Sequence, residues 1–134
     1  MSEPKRRFFE HTLHASAAPT VIGGETVIVG NVRGRGQFIV GGEIHGDGEL
    51  EGGLNLLASG SWHGNIRTHQ AVVAGRIVGS LTVLDKLEIG YTAVIRGKVS
   101  AGTIAIAKGA IVDGEIEIKS DTPIVRFDEK RGSV

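Results

Sequence analysis

The sequence predicts an all-β protein whose chain winds into a parallel β-helix. Two observations carry this prediction: a glycine-centred unit recurs six times at nearly constant spacing, and apolar residues alternate with other residues through each unit. A third observation is negative, because no segment of residues 20 to 119 keeps a helical apolar period over about 11 or more positions. We therefore expect the repeat region to be almost free of helix.

The six units are defined by a glycine that has an apolar residue two positions before it and, in five units, another two positions after it. Successive glycines are 16, 18, 15, 18 and 17 residues apart. A segment of that length holds two or three short strands and their corners, which is one turn of a β-helix. The six central glycines are Gly30, Gly46, Gly64, Gly79, Gly97 and Gly114.

A second alternating stretch lies upstream in each turn, and its side chains point alternately inward and outward as in half-buried strands. Charged residues of opposite sign, Arg33, Glu49 and Arg67, follow the repeat glycine in three successive units. We expect weak attraction between them on the outer wall. The alternating stretches are Phe38 to Val40, Leu54 to Leu56, Ala71 to Val73, Leu87 to Ile89 and Ile104 to Ile106.

Stacked turns bury a continuous interior that no single turn buries alone. Because strands lie about 4.8 Å apart, equivalent residues of successive turns form columns of side chains. Gly48 interrupts one column, and we expect Leu50 or the Trp62 ring to fill the gap. The predicted core residues are Ile28, Ile44, Trp62, Ile77 and Ile95 in the first column and Val32, Ile66, Leu81, Val99 and Ile116 in the second.

The composition excludes several classes of function. A chain of 134 residues suits one domain with tails, and its 15 basic and 15 acidic residues cancel, which does not favour a nucleic-acid partner. The absence of cysteine excludes disulfides, thiolate nucleophiles and cysteine-ligated metals. Since no apolar run approaches the roughly 20 residues of a membrane-spanning helix, we expect a soluble protein inside the cell.

Motifs of catalysis and cofactor binding are absent from the sequence. Gly34-Arg35-Gly36 lacks the third glycine of a dinucleotide loop, and Lys108-Gly109 has the wrong order for a phosphate loop. No nucleophile elbow or zinc-protease helix motif occurs. We therefore predict a protein that is not an enzyme, with no catalytic residue and no cofactor.

Two histidines, His45 and His63, occupy the same place in adjacent units and are expected to stack about 5 Å apart on the outer wall. Such a pair can share a metal ion. The sequence offers no clear third ligand, and His69 is only the nearest histidine along the chain. We therefore predict exposed polar residues here and no metal site.

An open β-helix ends in unpaired strand edges and exposed apolar layers, and neither end of this repeat has an amphipathic cap. Such ends favour pairing with another copy and hence a homopolymer. The alternative is that residues 123 to 127 fold back and plug one end. The predicted polymerisation residues are Val21, Ile22, Val27 and Val29 at the start and Ile111, Val112, Ile118 and Phe127 at the end.

The tails depart from the repeat. Residues 1–19 are predicted to be a disordered tail, residues 20–119 the β-helix domain, and residues 120–134 a solvated C-terminal tail. Basic residues followed by aromatic rings suit an anionic membrane surface, although a plain disordered terminus is the alternative. The predicted membrane-contact residues are Lys5, Arg6, Arg7, Phe8 and Phe9.

Taken together, the pattern resembles the bactofilins, polymer-forming cytoskeletal proteins of bacteria. The resemblance covers about residues 19 to 118 and rests on Thr20-Val21-Ile22-Gly23, the six units, and the run from Gly109 to Gly114. It implies a right-handed β-helix of six turns and triangular section that forms filaments end to end without nucleotide. It also implies a cytoplasmic protein, peripheral on the inner face of the membrane, which holds cell-wall or morphogenetic proteins. Val112 and Gly48 depart from the family pattern.

Two other readings compete with a self-assembling structural protein. One is an acyltransferase or zinc enzyme of the left-handed hexapeptide-repeat type, which needs an aliphatic residue at every sixth position. That period holds from Leu54 to Leu84 in part but breaks at Gly60 and Gly90. The other is a β-helix module that docks partners without polymerising.

Overall fold

The structure, a computed structural model, describes residues 18–119, and over that range every regular element is a β-strand. This part of the chain contains no helix of the length and apolarity needed to cross a membrane. The strands pair only in parallel, which confirms the predicted all-β parallel β-helix. They are β1 Thr20–Ile22, β2 Val27–Val29, β3 Val32–Val40, β4 Glu43–His45, β5 Gly48–Leu56, β6 Ser61–Val73, β7 Arg76–Ile89, β8 Val94–Ile106 and β9 Ile111–Ile118.

The register of the ladders matches the columns read from the sequence. One column crosses the sheet as Ile28, Ile44, Trp62, Ile77, Ile95 and Val112, one residue from each of six turns. A second column runs Val32, Gly48, Ile66, Leu81, Val99 and Ile116. A third, from the upstream stretches, runs Thr20, Phe38, Leu54, Ala71, Leu87 and Ile104. Each turn therefore contributes three short straight segments to the wall.

The repeat glycines form a corner that turns the chain from the first segment to the second. Gly64 and Gly97 have φ angles of 147° and 138°, a region that favours glycine. A Cβ on Gly97 would also collide with the carbonyl oxygen of Gly79 in the turn below. The same collision recurs up the column, so both the φ angle and the stacking distance require glycine once per turn.

The interior is apolar and fully buried in the middle turns. Ile44, Trp62, Ile77 and Ile95 are fully buried, and so are the residues of the second column from Ile66 to Val99. Full burial of one such aliphatic side chain contributes about 1.5–3 kcal/mol. The middle turns therefore supply most of the apolar burial that stabilises the solenoid.

The gap at Gly48 is filled by the Trp62 ring. A Cβ on Gly48 would strike the six-membered ring of that indole, so the two positions share one volume. The indole also donates a hydrogen bond of 2.8 Å from Nε1 to the carbonyl oxygen of Gly46. A large residue in one column thus compensates for the missing side chain in the next.

The first and last turns depart from the predicted core. Ile28 and Val32 are only half-buried and pack on the core from one side. The prediction that Ile116 is a core residue was wrong for the single chain, because its side chain is 43% exposed. Ile116 continues an interior column in the last turn, and within residues 18–119 no further turn lies above it.

Replacing Gly97 with alanine tests the corner. We expect Gly97→Ala to lower the free energy of unfolding by at least about 2 kcal/mol, because the new methyl group meets a backbone carbonyl at an unfavourable φ angle. Gly23→Ala is the matched control, since Gly23 has negative φ and no atom within 4 Å of an added Cβ. Denaturant unfolding followed by circular dichroism measures both, and equal stability of the two variants would contradict the corner constraint.

Exchanging the sizes of residues 48 and 62 tests the shared volume. Gly48→Val alone overpacks against the indole and costs about 1–3 kcal/mol, whereas Trp62→Ile alone leaves a cavity that costs about 2 kcal/mol or more. In the double variant the valine and isoleucine continue their own columns, so we expect it to lose less stability than the sum of the single variants. Additive losses in the same unfolding measurements would show that the two sites do not share space.

Candidate polymerisation ends and outer walls

The last turn exposes residues that its neighbours bury. Ile116 and Ile118 stand directly above Val99 and Ala101 in the ladder between β8 and β9. Val99 and Ala101 are 0% and 1% exposed, whereas Ile118 is 60% exposed. The difference follows from position alone, because an inward side chain in the last described turn has a partner on one side only. Among the residues that the structure describes, this end of the solenoid is therefore an open apolar layer.

The first turn also has unpaired strand edges, but its exposed valines face the outer wall and not the end of the stack. β1 pairs only with β3 and β2 only with β4, so each has one free edge within the described residues. Val27 and Val29 are 60% and 81% exposed. They lie on either side of Ile28 in β2 and point to the outer wall, whereas Ile28 points inward. Their exposure therefore arises from strand alternation rather than from the end of the stack.

The predicted polymerisation residues thus fall into two groups. Ile22 is buried, Val112 is half-buried and Ile118 is exposed, and all three lie in interior columns of the terminal turns. The others that the structure describes face outward, namely Val21, Val27, Val29 and Ile111. Phe127 and the membrane-contact residues Lys5, Arg6, Arg7, Phe8 and Phe9 lie outside the described residues.

Charged side chains pair between turns on one outer wall. Arg33 Nε lies 3.7 Å from Glu49 Oε1, and Arg35 Nε lies 3.2 Å from Glu51 Oε1. All four side chains are largely exposed, so each pair contributes little to stability. The predicted pairing of Arg33 with Glu49 is present. It is consistent with the strand register, which the core determines.

A ladder of polar side chains, which was not predicted from the sequence, follows the glycine corner. The Asp47 backbone N–H donates to Asn31 Oδ1 at 3.0 Å, and the Asn65 N–H donates to Asp47 Oδ1 at 3.0 Å. The Ser80 hydroxyl then donates to Asn65 Oδ1 at 2.8 Å. The ladder supplies partners for the backbone N–H groups at two corners, Asp47 and Asn65, and the signal for it was the polar residue directly after each glycine.

The two histidines stack as predicted. His45 and His63 are register partners, and their ring centroids lie 4.6 Å apart with an angle of 19° between the planes. Glu43 also belongs to this cluster, since its carboxylate Oε2 lies 2.6 Å from His45 Nε2. It was not predicted from the sequence. Glu43 precedes His45 by two positions, and the period of two in a strand was the signal that places both on one face.

Comparison with solved structures shows the same fold. The chain is similar to Thermus thermophilus bactofilin in double helical filaments reconstructed by cryo-electron microscopy, with a TM-score of 0.71, 24% identity, and coverage of 75% of this chain and 99% of that one. It is also similar to a crystal structure of a mutant of Thermus thermophilus bactofilin, with a TM-score of 0.64, 23% identity, and coverage of 67% and 100%.

Comparison of sequences places the chain in a family. Residues 20–117 match the family model Bactofilin, described as polymer-forming cytoskeletal. The chain is 32% identical over 101 residues to bactofilin BacO of Myxococcus xanthus, which covers 75% of this chain and 80% of the relative. It is 26% identical over 104 residues to BacP of the same organism, 78% of this chain and 43% of BacP. The predicted resemblance is confirmed: the chain belongs to the bactofilins, which are polymer-forming cytoskeletal proteins and not enzymes.

Proposed function

We propose that this chain assembles end to end into filaments without nucleotide, and that the filaments form a membrane-associated scaffold for factors of cell shape or the cell wall. The observation that carries the proposal is the open last turn, whose inward side chains are exposed in a single chain. The description of the family as polymer-forming supports self-association.

Backbone edges at the two ends provide the first source of affinity. β9 pairs with β8 on one side only, and β1 and β2 likewise have one free edge each within the described residues. An unpaired strand edge presents N–H and C=O groups that template pairing with another chain. Each subunit therefore carries such edges at both ends, and a unit with two adhesive ends extends into a filament.

Apolar burial at the last turn provides the second source. Ile106, Ile116 and Ile118 are 49%, 43% and 60% exposed, although equivalent positions one turn earlier are buried. A stacked subunit would cover these side chains as an additional turn does inside the solenoid. Covering apolar surface contributes roughly 25 cal/mol per Å².

Assembly of this kind requires no nucleotide. The free energy comes from strand edges and apolar side chains that the folded subunit already presents. No step in that association depends on binding or hydrolysis of a phosphate compound. The polymer is therefore expected to form from the purified chain in buffer alone.

Membrane association is assigned to the N-terminal tail. The sequence there has three cations, Lys5, Arg6 and Arg7, directly before Phe8 and Phe9. Basic residues near an anionic bilayer contribute about 1 kcal/mol each, and two aromatic rings add affinity at the interface. One tail binds weakly, but a filament displays one tail per subunit, and the repetition raises the overall affinity.

Placing a charge at the open end tests polymerisation. We expect Ile118→Lys to abolish filaments, because stacking would bury an unpaired ammonium group. The fold of the single chain is expected to survive, since Ile118 is 60% exposed and surface changes usually alter stability by less than about 0.5 kcal/mol. High-speed sedimentation and negative-stain electron microscopy without nucleotide provide the measurement.

Val72→Lys is the matched control for that experiment. Val72 is 43% exposed, like the end residues, but lies on the wall of a middle turn. We expect Val72→Lys to pellet as the wild-type chain does. A result in which Ile118→Lys also pellets normally would place the assembly contact away from the last turn.

Removing residues 2 to 9 tests the membrane assignment. We expect the truncated chain to form filaments and yet to lose flotation with vesicles that contain anionic phospholipid, because the cations and both rings are gone. Neutral vesicles serve as the control for the electrostatic part. If the truncated filaments float as the full chain does, another part of the chain must bind the membrane.

A further inference from the structure

A cluster of metal-ligand side chains lies on the outer wall of the second and third turns. It consists of Glu43, His45 and His63, and one ligand atom from each lies within 4.8 Å of the others. We propose that these three residues form a surface site for a divalent transition metal of the zinc type. The site is on the wall rather than at either end, so it does not depend on the polymerisation contact.

The fold brings the three side chains together by two simple rules. Glu43 and His45 are two positions apart on β4, so both point outward from one strand. His63 on β6 is the register partner of His45 in the next turn. The inward residues between and opposite them, Ile44 and Trp62, are fully buried and hold both strands in place. The backbone that carries the ligands is therefore well ordered by the core.

The donor set matches zinc chemistry. Two imidazole nitrogens and one carboxylate oxygen are a common ligand set for zinc sites that keep a fourth position for water. Bonds of about 2.0–2.1 Å place tetrahedral ligand atoms about 3.3 Å apart. Glu43 Oε2 and His45 Nε2, now 2.6 Å apart, must therefore separate, and a pair at the 4.8 Å limit must approach by roughly 1.5 Å. His45 and Glu43 are 41% and 45% exposed, which leaves their side chains free to make that adjustment.

Existing hydrogen bonds prepare the site. Glu43 Oε2 and His45 Nε2 form a hydrogen bond of 2.6 Å, and a metal ion bound to both atoms would replace that hydrogen bond. Ser61 Oγ lies 3.1 Å from His63 Nε2 and orients the second ring. A hydrogen bond at one ring nitrogen orients an imidazole that binds a metal through the other, so the Ser61 contact suits ligation by His63 Nδ1. Acidic conditions are expected to weaken binding, since protons compete for the same nitrogens.

The surroundings leave the site open to solvent and link two turns. Val29 and Val78 flank the histidine pair in its column, and neither carries a charge. The nearest cation in the register is Arg76, the partner of Ser61 in the following turn. A bound ion would join the second turn to the third through side chains, in addition to the backbone ladder. Metal binding is therefore expected to stabilise the solenoid.

Zinc titration of the full chain tests the proposal. The background variant has His11, His14 and His69 replaced with asparagine, so that His45 and His63 are its remaining histidines. We expect isothermal titration calorimetry to show one zinc ion per chain and thermal unfolding to shift to higher temperature with zinc. Adding Glu43→Gln or His63→Asn is expected to weaken zinc binding by at least about tenfold. Loss of a group that only hydrogen-bonds to a metal ligand already costs that much, and loss of a ligand should cost more.

Two further measurements distinguish binding at this site from nonspecific binding of zinc to the protein surface. Cobalt(II) in place of zinc is expected to give the visible absorption of a low-symmetry four-coordinate ion, and the Glu43→Gln background is expected to lose it. Circular dichroism without metal checks that each variant keeps its strand content. Unchanged zinc affinity after Glu43→Gln, or binding that requires two chains per ion, would overturn the three-ligand site.

Discussion

The glycine corner is the constraint on which the rest of this structure depends. At one position per turn the chain needs a positive φ angle, and the space that a Cβ would occupy is taken by a carbonyl oxygen of the turn below. The second demand follows from strand pairing, which places equivalent residues of neighbouring turns about 4.8 Å apart. Glycine at this position keeps one corner of every turn aligned with the corner of the next, although the turns differ in length from 15 to 18 residues.

Once the corners are aligned, the interior follows from the register. Residues of one column meet others of similar size in the adjacent turns, as in the run from Ile77 to Ile95 to Val112. The exception at Gly48 shows how the packing tolerates a change. The Trp62 ring crosses from its own column into the empty space and bonds its N–H to the Gly46 carbonyl, so neither a void nor an unpaired indole donor results.

The two kinds of surface in this solenoid have different chemistry. The ends present strand edges and the inward side chains of incomplete turns, which suits association with another subunit. The walls present outward side chains that repeat at the strand spacing, and identical chemistry in adjacent turns produces ladders. The stacked His45 and His63 and the Asn31, Asp47 and Asn65 hydrogen bonds are both consequences of that spacing. The proposed assembly contacts and the proposed metal site therefore lie on separate parts of one fold.

The sequence by itself determined the parallel β-helix, its six turns and most residues of its core, because a repeat of nearly constant length leaves few ways to stack the chain. It also determined that His45 and His63 stack, since equal positions in neighbouring turns must meet. Only the tertiary structure decided that Ile116 is exposed and that Glu43 completes the histidine cluster. Both outcomes depend on what lies beside a residue in space: a pattern along the chain says which way a side chain points, whereas burial and ligand distance are properties of its neighbours.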